Sequence, residues 1–304
     1  MINLKLADAA IAAYAKKLDE GDQARLAFFR KLWGIEAEVA AAARDASGYA
    51  APDAAEVSRL GRAHQPVFEA HPVTVDAAAL ADASARMAAC IADDGAFPQG
   101  IVDALRRTKW DRIVAASDMS KAGCHPAQYL EEVRGILVDD GMDERAAQAG
   151  VSAVSLALRA LLEGVANAVM QVRRSCEDLE DVHPLNCPVC GSQATIARVG
   201  AASDTKGGDK TLWCGQCGTA WEFDRVRCGR CGTRNQGHLH YYNIEGDDAH
   251  RINTCDECGN YTRTVFQEDV LVPSSYEVED IVMARLDLVA YQHAVAQAAG
   301  AKGE

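Results

Sequence analysis

Four Cys-x-x-Cys pairs, each followed by a glycine, constrain this chain more than any other feature. They are Cys187-Pro-Val-Cys190-Gly191, Cys214-Gly-Gln-Cys217-Gly218, Cys228-Gly-Arg-Cys231-Gly232 and Cys255-Asp-Glu-Cys258-Gly259. Adding 41 to each cysteine number of the first two pairs gives the last two, so a segment is duplicated within the chain. In each copy 23 residues separate the two pairs, room for a strand, a turn and a return strand. A C-x-x-C turn lets two thiolates converge on one ion, at about 2.3 Å for zinc. The glycine that follows supplies a positive φ without steric cost. Two such knuckles complete a tetrahedral four-sulfur site, and the metal gives a small β module a stability that its own core cannot supply. Cys187, Cys190, Cys214 and Cys217 are therefore predicted to hold one ion, and Cys228, Cys231, Cys255 and Cys258 a second. Zinc and iron both suit tetrahedral thiolate ligation. Pairing of outer with inner knuckles is an alternative, because only ten residues separate Cys217 from Cys228.

Disulfides and thioredoxin-type redox motifs are the competing uses of such pairs. The N-terminal MINLKLADAAIAAYAKKLDE carries Lys5 and Asp8 inside what would be the apolar stretch of a signal peptide, so it reads as an amphipathic helix. No apolar run is expected to reach transmembrane length, and no membrane insertion is expected. The cytoplasm, where thiols stay reduced, is the expected location, and it opposes disulfides. Thioredoxin-type pairs sit at the start of a helix in a βαβ context that this pattern lacks. With all eight cysteines used as ligands, both sites are closed, as structural and not hydrolytic sites are. No phosphate-binding glycine loop and no nucleophile elbow is present in the sequence, so no catalytic residue is assigned and an enzyme is not expected. The net charge of −13 offers no basic field for a nucleic acid or an anionic membrane surface.

The expected fold class is α+β. Residues 1–180 are rich in Ala, Leu, Glu, Asp and Arg and read as an all-α bundle. Breaks are expected at Gly21-Asp22, Gly48–Asp53, His64–Val75, Gly95–Gly100, Gly123–Pro126 and Gly141. Leu26, Phe29, Trp33 and Ala40 share a helical face. Val151, Val154, Leu158, Leu161, Val165, Ala168 and Val172 follow an a/d seam, read as a bundle core and not a dimeric coiled coil. From Asp181 the texture turns to tandem rubredoxin-like or zinc-ribbon β modules, 181–226 and 227–272. Strands are expected at Gln193–Val199, Thr219–Val226, His238–Ile244 and Tyr261–Gln267. A C-terminal helix and tail, 273–304, place Val278, Ile281, Val282, Leu286 and Val289 on one face, with Gly300–Glu304 frayed.

Other chemistry-bearing residues take structural readings. His183, His238 and His240 lie near the cysteines but are not needed as ligands. Trp213, Trp221, Tyr241 and Tyr242 are expected to pack across the ribbons. Cys176 reads as a buried thiol, and Cys124-His125 as a loop.

Five segments, CPVCGSQATIARV (187–199), LWCGQCGTAWEFDRVRCGRCG (212–232), HLHYYNIEGDD (238–248), CDECGNYTRTVFQE (255–268) and YEVEDIVMARLDL (276–288), carry a family likeness, with a looser match through ARLAFFRKLWGIEAEVA (24–40) and the Pro66–Pro72 loop. On these residues the arrangement resembles the FdhE family of formate dehydrogenase accessory proteins. The resemblance implies a cytoplasmic accessory protein that binds the catalytic subunit of a formate dehydrogenase before export and supports its maturation or quality control. The family's metal-binding cysteines map onto the eight named above. The alternative is a rubredoxin-like iron redox protein, or a thiol reductant acting on a client.

Overall fold

Aspartates set the starts of several helices. Asp53, Asp76, Asp118 and Asp143 sit at N-cap positions, and each accepts a hydrogen bond from a backbone N–H of the first turn. Such a cap satisfies an otherwise orphaned donor and is worth about 1 kcal/mol. The computed structural model describes residues 2–291 apart from 47, 95, 204–206, 244, 268 and 270. The expected frayed tail Gly300–Glu304 and the end of the strand expected at His238–Ile244 fall outside the described residues. The helices run α1 Leu4–Tyr14, α2 Glu20–Ala46, α3 Ala54–Arg62, α4 Val67–Ala70, α5 Ala77–Asp93, α6 Gln99–Arg107, α7 Trp110–Ala116, α8 Met119–Cys124, α9 Pro126–Asp139, α10 Glu144–Arg174 and α11 Tyr276–Val282. Helix resumes at 284–291 after a turn at Met283. The strands are β1 Ile196–Ser203, β2 Gly207–Trp213, β3 Ala220–Phe223, β4 Leu239–Tyr242, β5 His250–Cys255 and β6 Tyr261–Phe266. The α+β class and the helical N-terminal region agree with the sequence reading.

The chain divides into two compact units: Met1–Leu4, Phe28–Ser192 and Gly215–Thr219 form the first, and Lys5–Ala27, Gln193–Cys214 and Ala220–Glu304 the second.

In the first unit α10 is the central helix, in contact with α3, α5, α6 and α9. Val154, Leu158 and Val165 of the expected seam are buried, but so are Ala153, Ala157, Ala160, Leu162, Ala166 and Val169, whereas Ala168 is exposed. The helix is thus covered around most of its circumference and not along a narrow stripe, because neighbours lie on several sides. By length and composition alone α10 could cross a membrane, which corrects the expectation that no apolar run reaches that length. Its apolar window is 61% buried within the protein. Arg159 sits at its centre, paired with Glu36 of α2 and with Glu163 one turn further along α10. That is the pattern of a core helix. The break expected at Gly21-Asp22 instead falls just before Glu20, and α2 runs through both residues.

In the second unit the duplication becomes a single six-stranded sheet in the order β3-β2-β1-β6-β5-β4. Each copy is an antiparallel three-stranded meander, and the copies join where Ile196–Val199 of β1 runs parallel to Arg263–Phe266 of β6. Shifting β1, β2 and β3 by 41 residues lands on β4, β5 and β6. The copies therefore meet head to tail, the first strand of one beside the third strand of the other. Alternation along the strands puts Ile196, Trp213, Ile252 and Val265 on one face, packed with Met283, Leu286 and Ala290. Trp213 stacks on Tyr276 with ring centroids 5.7 Å apart, and the Arg198 guanidinium lies 3.9 Å from the centroid of the Tyr276 ring. The packing role expected for the ribbon aromatics holds for Trp213 and Tyr242.

A buried polar cluster ties α1 to this sheet. His250 is 2% exposed, with Nδ1 2.8 Å from Asp247 Oδ1 and Nε2 3.0 Å from Glu279 Oε2. The Tyr14 hydroxyl donates to Glu279 at 2.7 Å, and Arg285 pairs with Asp247. Burial opposes the imidazolium, but the hydrogen bonds and charges of Asp247 and Glu279 outweigh it and push the pKa from 6.5 up to about 9. A folded-state pKa raised in this way stabilises the protein fully below the unfolded value and is lost as pH rises through 9. The midpoint of thermal unfolding is therefore expected to fall between neutral pH and about pH 9.5, by a contribution on the order of 3 kcal/mol. His250→Gln should flatten that fall; an equally steep profile in the variant would remove His250 as its source.

Candidate metal centres

The knuckles that open at Cys187, Cys228 and Cys255 are closed by the same backbone geometry. Gly191 N–H donates to Cys187 O at 2.9 Å, Gly232 to Cys228 O at 3.1 Å and Gly259 to Cys255 O at 2.9 Å. The return bonds run from Cys187 N–H to Ser192 O, Cys228 to Thr233 O and Cys255 to Asn260 O. Gly191, Gly218, Gly232 and Gly259 all have φ between 66° and 81°, as the sequence pattern requires. The turn leaves its N–H groups aimed inward, and Arg230 N–H donates to Cys228 Sγ at 3.3 Å.

The eight cysteines gather as two sets of four, Cys187, Cys190, Cys214 and Cys217 in one and Cys228, Cys231, Cys255 and Cys258 in the other. Within each set the sulfurs all lie within 4.8 Å of one another. Pairing is therefore within each repeat, not between outer and inner knuckles. The Sγ–Sγ separations are 3.5 Å for Cys187 to Cys217, 3.9 Å for Cys228 to Cys258 and 3.8 Å for Cys231 to Cys255. A regular tetrahedron with metal–sulfur bonds of about 2.3 Å has edges of about 3.8 Å. A disulfide would require about 2.05 Å. The donor set and its spacing fit a four-coordinate ion, so the two clusters could hold two metal ions. Four soft thiolates accommodate zinc or iron alike.

The two clusters differ in their surroundings. All four cysteines of the first are buried. Its knuckle Cys187–Gly191 is bonded to α4: Val67 N–H donates to Pro188 O at 3.0 Å and Phe68 N–H to Val189 O at 2.8 Å. At Gly218 a Cβ would come within 2.8 Å of Glu163 Oε1, so only glycine lets this knuckle approach α10 so closely. In the second cluster Cys231 is exposed and Cys258 half-buried. Burial works against the Cys228 thiolate, yet backbone N–H groups of Cys231 and Arg230 hold its pKa below the ordinary thiol value. Because Cys231 is exposed, a chelator should strip the second cluster first, faster by about tenfold, a barrier difference of only ~1.4 kcal/mol. Metal release followed with a chromophoric chelator should show two equal phases, and Cys231→Ser should abolish the fast one. A single phase for both ions would contradict the exposure argument.

His238, His240 and Cys176 take the structural roles expected of them, whereas Cys124-His125, expected as a loop, is the end of one helix and a single residue before the next. His240 Nε2 lies 2.9 Å from Asp256 and His238 Nδ1 3.7 Å from Glu257, so both pair with surface carboxylates. Cys176 is 8% exposed, with its thiol directed at Ala54 O and Val172 O. Cys124 ends α8 and bonds to Ser120 O, while His125 precedes α9. Two polar clusters escaped the sequence reading: His250 with Asp247 and Glu279, and Arg159 with Glu36 and Glu163. Their partners lie 29 residues or more apart in sequence, except for one i,i+3 and one i,i+4 contact, so only the helical Arg159–Glu163 spacing carried a local signal.

No family model matches the chain. Among known proteins, the chain is 32% identical over 108 residues to the protein FdhE homolog of Aquifex aeolicus, a match covering 35% of this chain and 37% of that protein. It is 30% identical over 84 residues to the FdhE homolog of Shewanella baltica strain OS185, covering 27% of each. The matched stretches thus span little more than a third of those relatives at most. Among solved structures, the FdhE protein from Pseudomonas aeruginosa superposes with a TM-score of 0.52 at 15% identity, covering 96% of this chain and 93% of that one, which shows a shared fold. The chain is thus similar to FdhE homologues over a local stretch at about 30% identity, and it shares the fold of a solved FdhE protein over nearly its whole length.

Proposed function

We propose that this protein is a cytoplasmic, non-enzymatic accessory factor. In this reading it binds the catalytic subunit of a formate dehydrogenase and supports its maturation or quality control before export. The observation that carries the reading is the joint likeness to FdhE proteins in sequence and fold. The two closed Cys₄ clusters are consistent with it, since four thiolates around one ion leave no position for a substrate. Their role in this reading is to fix the knuckles that carry them. Binding a folded client takes an extended surface, commonly about 1,600 Å² in total.

The test is capture from the host cytoplasm on the tagged, metal-loaded chain, with formate dehydrogenase activity measured in a strain lacking the gene. Co-purification of the catalytic subunit is expected, with loss of most activity in the deletion strain and recovery on complementation. Unchanged activity and no catalytic subunit in the eluate would overturn the reading. A second reading rests on the exposure of Cys231: an iron ion in the second cluster would exchange electrons with a client through that thiolate. Visible absorption of the purified protein, bleached by dithionite, separates it from the structural role.

A further inference from the structure

The sheet face opposite the Trp213 core carries an unusual concentration of positive charge for a chain of net charge −13. Val199, Lys210, Arg251 and Phe266 lie on this face, and the loop through Arg225 and Arg227 borders it, enclosing a cavity of about 320 Å³. No carboxylate lines the cavity among the described residues. Lys210 is 5% exposed; its Nζ donates to Arg227 O at 3.0 Å and lies 5.2 Å from the centroid of Phe223. Arg251 is held between two rings, its guanidinium 4.8 Å from Tyr241 and 4.1 Å from Phe266. Its Nε is buried and has no hydrogen-bond partner among the described residues. Neither cation has a carboxylate partner there, in contrast to Arg227, which pairs with Asp224 at 3.2 Å.

A buried cation without a counterion costs free energy unless an anion completes it. The rings hold Arg251 in place without consuming its donors, which leaves the guanidinium fork presented to a ligand. The hydroxyls of Thr254 and Thr262 add neutral donors to the wall. The two cations Lys210 and Arg251 exceed what one carboxylate neutralises, whereas a phosphate monoester brings a charge near −2 and three acceptor oxygens. The volume, at the lower end of small-ligand cavities, leaves room for a substituent beyond the phosphate. We propose that this cavity is a phosphate-binding site, occupied by inorganic phosphate or by the phosphate group of a small monoester, with Arg251 and Lys210 as its principal ligands.

Cys228 also lines the cavity, so the cations could serve only to offset thiolate charge. The experiment must separate the two roles. The metal-loaded full chain is titrated calorimetrically at low ionic strength with inorganic phosphate, with adenosine monophosphate and with acetate. Saturable binding of phosphate and of the nucleotide is expected, with acetate at least about tenfold weaker. Arg251→Gln should weaken phosphate binding by about tenfold or more, as loss of a charge-assisted hydrogen bond does, and leave metal content at the wild-type ratio. Amide chemical shifts of the wild-type chain should move at Arg251, Asn253 and Thr262 on adding phosphate, a readout that holds even if the variant folds poorly. The proposal is overturned by the absence of saturable phosphate binding, by equal affinity for acetate, or by shifts confined to other regions. It is overturned equally by loss of metal with unchanged phosphate affinity in Arg251→Gln, or by a single-stranded oligonucleotide that binds without being displaced by phosphate.

Discussion

Cys187→Ser is expected to release the ion of the first cluster and to lower the stability of the helical unit along with it. Binding of a structural zinc ion to four thiolates is worth about 10–16 kcal/mol in isolated modules, and a three-thiolate site keeps only part of that. A loss of about 3 kcal/mol or more is expected, the range of a broken metal site. The effect reaches the helices because Pro188 O and Val189 O accept from Val67 and Phe68, and because Gly191 packs on Pro66. Phe68 is fully buried and its ring meets Tyr49, so movement of the knuckle is felt in the core. Cys231→Ser is the control, since that thiol is exposed and the backbone bonds of its knuckle run within the second unit, from Cys228 to Thr233 and from Gly232 to Cys228. Elemental analysis should give one ion fewer in each variant. Far-ultraviolet circular dichroism should show a lower helical unfolding midpoint for Cys187→Ser alone. Equal midpoints in the two variants would mean that the first knuckle does not support the helices.

The metal clusters were legible because their signal is local: two sulfurs two residues apart, a glycine after each pair, and the same interval repeated. The helical region was legible for the same reason, through helix-favouring composition, apolar residues at helical intervals and breaks at glycine and proline; the aspartate caps are seen only in the structure. What the pattern of a strand could not show is how the two copies join. The parallel pairing of β1 with β6 links residues 67 positions apart, such as Ile196 and Arg263, and nothing in either segment alone specifies it. β2 was missed because it opens Gly207-Gly208-Asp209, residues disfavoured in strands that the sheet nevertheless recruits. β5 was missed because His250-Arg-Ile-Asn-Thr lacks an apolar alternation; its buried histidine is paid for by Asp247 and Glu279, which tertiary structure supplies. The knuckle Cys187–Gly191 read as the start of a ribbon, and its bonding to Val67 and Phe68 depends on contacts across more than a hundred residues.

Arg159→Leu tests the other long-range feature, the ion cluster in the middle of α10. Arg159 is 4% exposed, Glu36 0% and Glu163 3%. Arg159 Nε lies 3.0 Å from Glu36 Oε1, and its Nη2 lies 3.7 Å from Glu163 Oε1. Glu163 also accepts from Ile2 N–H at 2.9 Å and abuts Gly218. One guanidinium thus compensates two buried carboxylates and, through Glu163, braces the chain start and the Cys217 knuckle. Leucine fills much of the same volume but takes this guanidinium away from both carboxylates, and removing one partner of a buried ion pair costs about 3–5 kcal/mol. That is a large share of the roughly 5–15 kcal/mol that holds a typical domain together. A packing defect and an electrostatic one predict different second-site behaviour. If charge is the cause, adding Glu163→Gln to Arg159→Leu should recover part of the loss, because it removes one buried charge while keeping the side chain's shape. If the cause is lost packing of the arginine stem, Glu163→Gln should add a further cost. Denaturant unfolding of the single and double variants, with metal content held at the wild-type ratio, reads the difference directly, and a double variant less stable than Arg159→Leu alone would refute the electrostatic account.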